Sequence, residues 1–209
     1  MSSPGYAVIM SLPSYGERSP DLSELLARSE PAISIETVWG NGTLPLRITA
    51  YAAPAELPPE LVVSVRCVVR HGGRVVICQE PDGKWMLLPG GRCEPGETFQ
   101  QTVVREVHEE TGWIIDPSSL EQIGWMHYEH LRPPPAGHPY PHPDFLNAVF
   151  AGDATARNSA PSVEWADTDG YIQRSVTVPP SEARRLVVPT DPLAGVFLDA
   201  VGPGLDVAS

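Results

Sequence analysis

The sequence predicts a mixed α/β (α+β) fold, and three features of it do so. Between Leu61 and Leu88, three β-rich runs follow one another across the turn dipeptides Gly72-Gly73 and Asp82-Gly83. They lead directly into a glycine-rich loop, Pro89-Gly90-Gly91. That loop is followed by a stretch of helical periodicity with its own start and stop signals.

In chain order, residues 1 to about 30 are rich in Ser, Pro and Gly, a composition expected to be loosely held. That composition is interrupted by a short helix pattern over 21–28, with Leu22, Leu25 and Leu26 on one side. Ile33 to Trp39 and Thr43 to Tyr51 read as two strands around Gly40-Asn41-Gly42, where glycine and asparagine accept the positive φ of a tight turn. A hairpin is therefore expected over 33–51. The run from Leu61, LVVSVRCVVR, is apolar at nearly every position, as in a central strand covered on both faces. RVVICQ and KWMLL follow as its neighbours.

The helix after the loop starts at Thr98 and Gln101, which stand at capping-box spacing. It ends at Gly112, where a left-handed residue lets the last carbonyls find donors. Phe99, Val103 and Val107 form its apolar stripe, with Glu106, Glu109 and Glu110 on the arc beside it. Like charges three and four positions apart cost a bare helix a few tenths of a kcal/mol per pair, roughly. A divalent cation among them reverses that sign. Oxygen ligands on a rigid element suit Mg²⁺ or Mn²⁺, whereas zinc favours the His and Cys ligands that these three carboxylates do not supply.

Beyond the helix, 120–131 and 145–151 are strand-like, separated by RPPPAGHPYPHPD, which cannot join a ladder and reads as a stiff loop flanking the site. Its three prolines also permit a polyproline ligand for a partner domain. His127, His130, His138 and His142 gather here. His127 and His130 lie an odd number of residues apart on one strand and so point to opposite faces, which argues against a shared ion. A single histidine touching phosphate or acting as a base fits better. A weak helix is expected over 181–188, and a firmer one from Leu193 to Val201, started by Asp191-Pro192, stopped by Gly202 and packing with Val196, Phe197 and Ala200.

The stretch GGRCEPGETFQQTVVREVHEETGW resembles the signature of the Nudix hydrolases: a glycine, five residues, a glutamate, seven residues, then R-E-U-x-E-E-x-G-U, where U is bulky and apolar. Gly91, Glu97, Arg105, Glu106, Val107, Glu109, Glu110 and Gly112 all fall on it, while Trp113 stands where an aliphatic residue is usual. A solvated acidic face is the ordinary reading of a charge cluster, but it does not account for the spacing to Gly91 and Glu97. The resemblance implies an α/β/α sandwich with a mixed sheet. It divides the chain into an extension over 1–60, a catalytic domain over 61–201 and a tail over 202–209.

By the same resemblance, Glu109 and Glu110 are the principal metal ligands, helped by the Gly90 carbonyl. Glu106 is a further ligand or the group that takes the proton from the attacking water. Arg105 and Glu97 form an ion pair that fixes loop against helix. A later acid, Asp144, Glu164, Asp167 or Asp169, is the other place for the base. Trp125, Tyr128, Tyr140 and Phe145 are candidates to stack on a nucleobase, or are core. The expected reaction is hydrolysis of a diphosphate linkage in a nucleoside diphosphate joined to another group, with nucleotide sugars or ADP-ribose ahead of nucleoside triphosphates. The alternative is a Nudix-like module that senses a nucleotide without cleaving it. Family members acting on ADP-ribose pair two subunits through an N-terminal β extension, so the hairpin implies either a homodimer or a cover for its own sheet edge.

Composition narrows the partners. A formal net charge of −12 in 209 residues disfavours a nucleic acid polymer, whose phosphates it repels. A small phosphorylated substrate gains its positive charge locally, from a metal ion. Cys67, Cys78 and Cys93 are an odd set without metal spacing, as expected of reduced thiols in a cytoplasmic protein. No apolar run is long enough to cross a membrane, and no export signal is expected. The 24 prolines gather in loops as stiff connections.

Overall fold

The computed structural model describes residues 16–39, 42–133, 137–157 and 172–201. In chain order its strands are β1 (Ile33–Trp39), β2 (Leu44–Tyr51), β3 (Val62–His71), β4 (Arg74–Gln79) and β5 (Trp85–Met86). After these come β6 (Trp113–Ile115), β7 (Glu121–His130), β8 (Asp144–Arg157) and β9 (Arg174–Val178). The helices are α1 (Pro20–Arg28), α2 (Phe99–Thr111), α3 (Pro180–Val187) and α4 (Pro192–Val201). None of them is long and apolar enough to cross a membrane.

Among the described residues the sheet runs β1-β2-β7-β8-β3-β4-β5, with β6 added to β8 and β9 to β4. The β3–β8 pair is parallel, in register from Val65↔Ala148 to Arg70↔Asp153, and the remaining pairs are antiparallel, so the sheet is mixed. The hairpin forms as expected, from Ile33↔Ala50 to Trp39↔Leu44. Gly42 takes φ 88°, while Gly40 and Asn41 lie outside the described residues. β2 also pairs with β7, Leu46↔His130 through Tyr51↔Trp125, so the hairpin continues the main sheet.

Helices cover both faces. On one, Leu22 and Leu25 of α1 and Val103 and Val107 of α2 pack with Val65, Cys67 and Val69 of β3. On the other, Ala183 and Val187 of α3 and Leu193 and Phe197 of α4 pack with Val68, Ile77 and Val149. This is a three-layer α/β/α arrangement with β3 central and covered on both sides. Cys67 and Cys78 are buried within it and are not joined in a disulfide; burial pushes the Cys67 thiol up to about 12.

Four expectations need correction. The segment at α1 is not loosely held, because Leu22 and Leu25 are buried. The run at 84–88 pairs only at Trp85–Met86. Leu87 and Leu88 are buried but leave the ladder, because β3 takes its next partners from the loop: the Cys67 and Val65 amides donate to the Pro89 and Gly91 carbonyls, each at 2.9 Å. The strand expected to end at Ala151 continues to Arg157, where β6 supplies a partner for its far end. In α4, Ala200 is exposed and the buried side includes Leu193, Ala194, Phe197, Leu198 and Val201. Gly202 lies outside the described residues.

Candidate active site

The loop and the helix are each locked before they meet. Thr98 closes a full capping box with Gln101, the Gln101 amide donating to Thr98 Oγ1 at 3.2 Å and the Thr98 amide to Gln101 Oε1 at 2.8 Å. Gly112 is left-handed at φ 72°, its amide donating to the His108 carbonyl. Gly90 has φ 143°, and a Cβ there would stand 2.2 Å from the Val65 carbonyl oxygen, so only glycine lets the loop lie this close to β3. A Cβ on Gly91 would stand 2.4 Å from the Glu106 carboxylate, so this glycine lets α2 approach the loop.

Arg105 is the hub between the two. Its Nε and Nη2 donate to the two oxygens of Glu97 at 2.8 and 2.9 Å, a forked pair. Nη1 donates to Glu106 at 2.7 Å and to Glu109 at 3.0 Å, and Nη2 to the Arg92 carbonyl at 3.0 Å. Glu97 also accepts from Thr102 Oγ1 and from the Glu94 amide. The Arg105 hydrogen bonds hold the Glu97 carboxyl down at about 2, and Glu97 in turn raises the guanidinium. Burial pushes the Glu106 carboxyl above the usual range against the pull of Arg105.

A cleft of about 600 Å³ opens where loop and helix meet, lined by Ser64, Arg66, Glu80, Gly90, Gly91, Arg92, Glu106, Glu110 and Tyr140, among others. Of the three helix acids, Glu106 and Glu110 line it; Glu110 accepts from the Gly90 amide at 2.7 Å. Glu109 sits on the flank with its side chain 43% exposed. The helical wheel explains the split, since residues four apart lie about 40° from one another and residues three apart about 60° to the other side. Among the described residues, no three His, Cys, Asp or Glu side chains converge as a finished cation cage. Repelling carboxylates have taken the nearest donors instead, Arg105 and the Gly90 amide. The donor chemistry still fits a hard cation: two carboxylates and the Gly90 peptide face one cleft, and all the ligating atoms are oxygen.

Arg66 was not singled out from the sequence, hidden as one charge in an apolar strand. Its Nη1 donates to the Gly90 carbonyl, the same oxygen that the resemblance assigns to a metal. Beside it Ser64 donates to Asn147 at 2.7 Å, and Asn147 to the Tyr128 hydroxyl at 3.1 Å.

The other candidates divide by face. Asp144 does not line the cleft: it is buried and accepts from Arg18 at 2.9 and 3.0 Å and from His127 at 2.6 Å. Burial opposes its charge, but His127 and Arg18 outweigh that and hold the carboxyl below its usual range. Glu164, Asp167 and Asp169 lie outside the described residues. Trp125 stacks on Tyr51 at 3.9 Å in the core on the α1/α2 side. Phe145 is buried and stacks on Tyr128 at 4.6 Å and Tyr140 at 4.9 Å. His130, on the opposite face from His127, packs against His138 and His142 with ring centroids 4.9 and 5.1 Å apart. Burial, then these two neighbours, brings its imidazole down to about 4.

Comparison with known proteins gives the same reading of the motif. Over 52 residues the chain is 42% identical to the Uncharacterized Nudix hydrolase YvcI of Bacillus subtilis, covering 24% of this chain and 33% of that protein. Over 108 residues it is 30% identical to the ADP-ribose pyrophosphatase of Methanocaldococcus jannaschii, covering 50% and 61%. The chain thus spans a third of the first relative and three-fifths of the second. A crystal structure of the Bacillus subtilis pyrophosphohydrolase BsRppH shares the fold, with a TM-score of 0.54 at 15% identity over 81% of this chain and 97% of that one. The family model of the NUDIX domain matches residues 60–195, which take in the Gly90 loop, α2 and the cleft between them, and this chain belongs to that family.

Proposed function

We propose that the protein hydrolyses a diphosphate linkage in a nucleoside diphosphate joined to another group, with a divalent cation, Mg²⁺ or Mn²⁺. The observation that carries this is the placement of Glu106 and Glu110 in one cleft with the Gly90 loop, braced from behind by Arg105. Glu106, Glu110 and the Gly90 carbonyl would hold the cation, with Glu109, now paired with Arg105 on the flank, as the further ligand that the family motif supplies. When bound, the cation supplies positive charge to the diphosphate oxygens. Glu106, half-buried against Gly91, would serve either as a ligand of the cation or as the group that takes the proton of the attacking water. Arg66 and Arg92 line the cleft, and with a substrate and cation bound they would turn from the Gly90 carbonyl and the Tyr140 hydroxyl to donate to non-bridging phosphate oxygens. Glu97 and Arg105 keep loop and helix in register.

ADP-ribose and nucleotide sugars are preferred over nucleoside triphosphates. The Methanocaldococcus jannaschii relative, an ADP-ribose pyrophosphatase, supports this choice. β1 ends the sheet, which supports antiparallel pairing of two copies along it, checked by sedimentation. The reading is tested with an Mg²⁺ assay over ADP-ribose, nucleotide sugars, dinucleotides, coenzyme A and nucleoside triphosphates, with products identified. Cleavage between the phosphates of at least one of them is expected. No metal-dependent turnover of any, with the protein folded, sinks the reading.

A further inference from the structure

The cleft does not end at the phosphates. Arg66, Glu80 and Met86 also line a second chamber of about 400 Å³ on the α4 side of the sheet. Both volumes fall in the range of roughly 300–1,000 Å³ usual for small-molecule sites. The outer wall of this chamber comes from the hairpin, through Ile35, Thr37, Trp39 and Ile48. These residues lie outside the stretch 60–195 that the family model matches, so this half of the cleft is built by the N-terminal extension. The β2–β7 ladder fixes the hairpin there.

Two features give the chamber a chemistry. Trp39 is 37% exposed although its ring lies 5.3 Å from that of Tyr128, which leaves part of an indole surface facing outward beside a second aromatic wall. Asp191 supplies a carboxylate at the N-terminus of α4, with Oδ1 accepting from the Ala194 amide at 3.2 Å. The lining joins these aromatic and aliphatic side chains to the Asp191 and Glu80 carboxylates and to Arg66, a mixture suited to a ligand that is flat and apolar on its faces and carries N–H donors on its edge.

We infer that the hairpin builds a nucleobase subsite: the base of the substrate stacks on Trp39, and its N–H edge meets Asp191, while the diphosphate lies past Arg66 toward Glu106 and Glu110. This inference rests on the proposed hydrolase reading for the direction of the substrate, but not for the binding of the base. The hairpin therefore selects substrate in its own chain, in addition to closing the sheet. Stacking of a base on an aromatic side chain is worth about 1–3 kcal/mol, or roughly a 5- to 150-fold change in affinity.

The test uses the full-length protein without turnover. AMP, GMP, CMP and UMP are each titrated by calorimetry and compared with ribose 5-phosphate, which has the phosphate and no base. At least one nucleotide is expected to bind ten times tighter than ribose 5-phosphate. Trp39→Ala should erase most of that ratio and Trp39→Phe keep most of it. Asp191→Asn, which can still cap α4, should weaken the amino-bearing AMP, GMP and CMP more than UMP. Thr37→Phe, which fills the chamber from an edge strand, should exclude all four and guards against a misfolded Trp39→Ala. Nucleotides binding no tighter than ribose 5-phosphate, or ratios unmoved by Trp39→Ala and Thr37→Phe, overturn the subsite. The two readings fail separately: base-dependent binding without hydrolysis leaves the subsite and removes the enzyme, and hydrolysis indifferent to Trp39 and Thr37 does the reverse.

Discussion

Replacing Gly90 with alanine tests whether the loop is built on contact with β3. The new Cβ would stand 2.2 Å from the Val65 carbonyl oxygen and 3.0 Å from the Arg66 Cα, both backbone atoms of a central strand that cannot yield. Relief requires the loop to lift by roughly 1 Å, enough to weaken or break well-formed hydrogen bonds. Those at risk are the Val65 amide to Gly91 and the Cys67 amide to Pro89, both 2.9 Å. At about 1 kcal/mol net for each bond, plus about 1–3 kcal/mol for a side chain at positive φ, Gly90→Ala should cost about 3–5 kcal/mol. Gly96→Ala is the control: its φ is +88° but nothing lies within 4 Å of the added Cβ, so only the backbone strain remains. Urea unfolding gives the two stabilities, and amide exchange at Val65 and Cys67 reports the loop itself. Equal small losses in both variants, with Val65 and Cys67 still protected, would refute the contact argument.

Further expectations concern the charges. Arg105→Lys keeps the charge but loses the fork to Glu97, so it should weaken cation binding and lower the unfolding midpoint without removing a ligand; an unchanged cation affinity counts against the brace. Because the folded carboxyl of Glu97 is held down at about 2 against an ordinary 4.5, its contribution is complete above pH 4.5 and fades as pH falls toward 2. The stability advantage of the native chain over Glu97→Gln should therefore be full at pH 7 and shrink between pH 4.5 and 2.5, and a constant difference would contradict the pairing. Asp144→Asn should cost about 1.5–3 kcal/mol, the usual worth of hydrogen bonds to a charged group, while hydrolysis continues. Lost turnover at unchanged stability would instead return Asp144 to the role of base.

What could be read from the sequence was the chemistry of neighbours. Thr98 with Gln101, Gly112 at the helix end and the turn dipeptides act over a few residues, and each does in the structure what its local geometry dictates. The family motif was legible for the same reason, being one loop and one helix. Long-range placement was not. Whether β2 stops at its hairpin or goes on to β7 depends on which edge the rest of the sheet leaves open, and no residue of 44–51 states that. Arg66 looked like one charge in an apolar run, and its importance comes from the loop that folds over it. Trp39 read as a strand end, and Asp191 as a helix cap; they share a chamber only because the start of α4 packs on the sheet face to which Trp39 contributes. The wheel of α2 did contain the separation of Glu109 from Glu106 and Glu110, which a finer reading of the 100° step exposes.

The most direct measurement is a titration of the purified chain with Mn²⁺, followed by the loss of free-ion paramagnetic signal and repeated for Glu106→Gln and Glu110→Gln. Saturable binding in the native chain, weakened tenfold or more in each variant while unfolding midpoints stay close, is the expected result. Native and variant chains that bind the ion equally, or a native chain that binds none, would contradict the assignment of this helix to a cation.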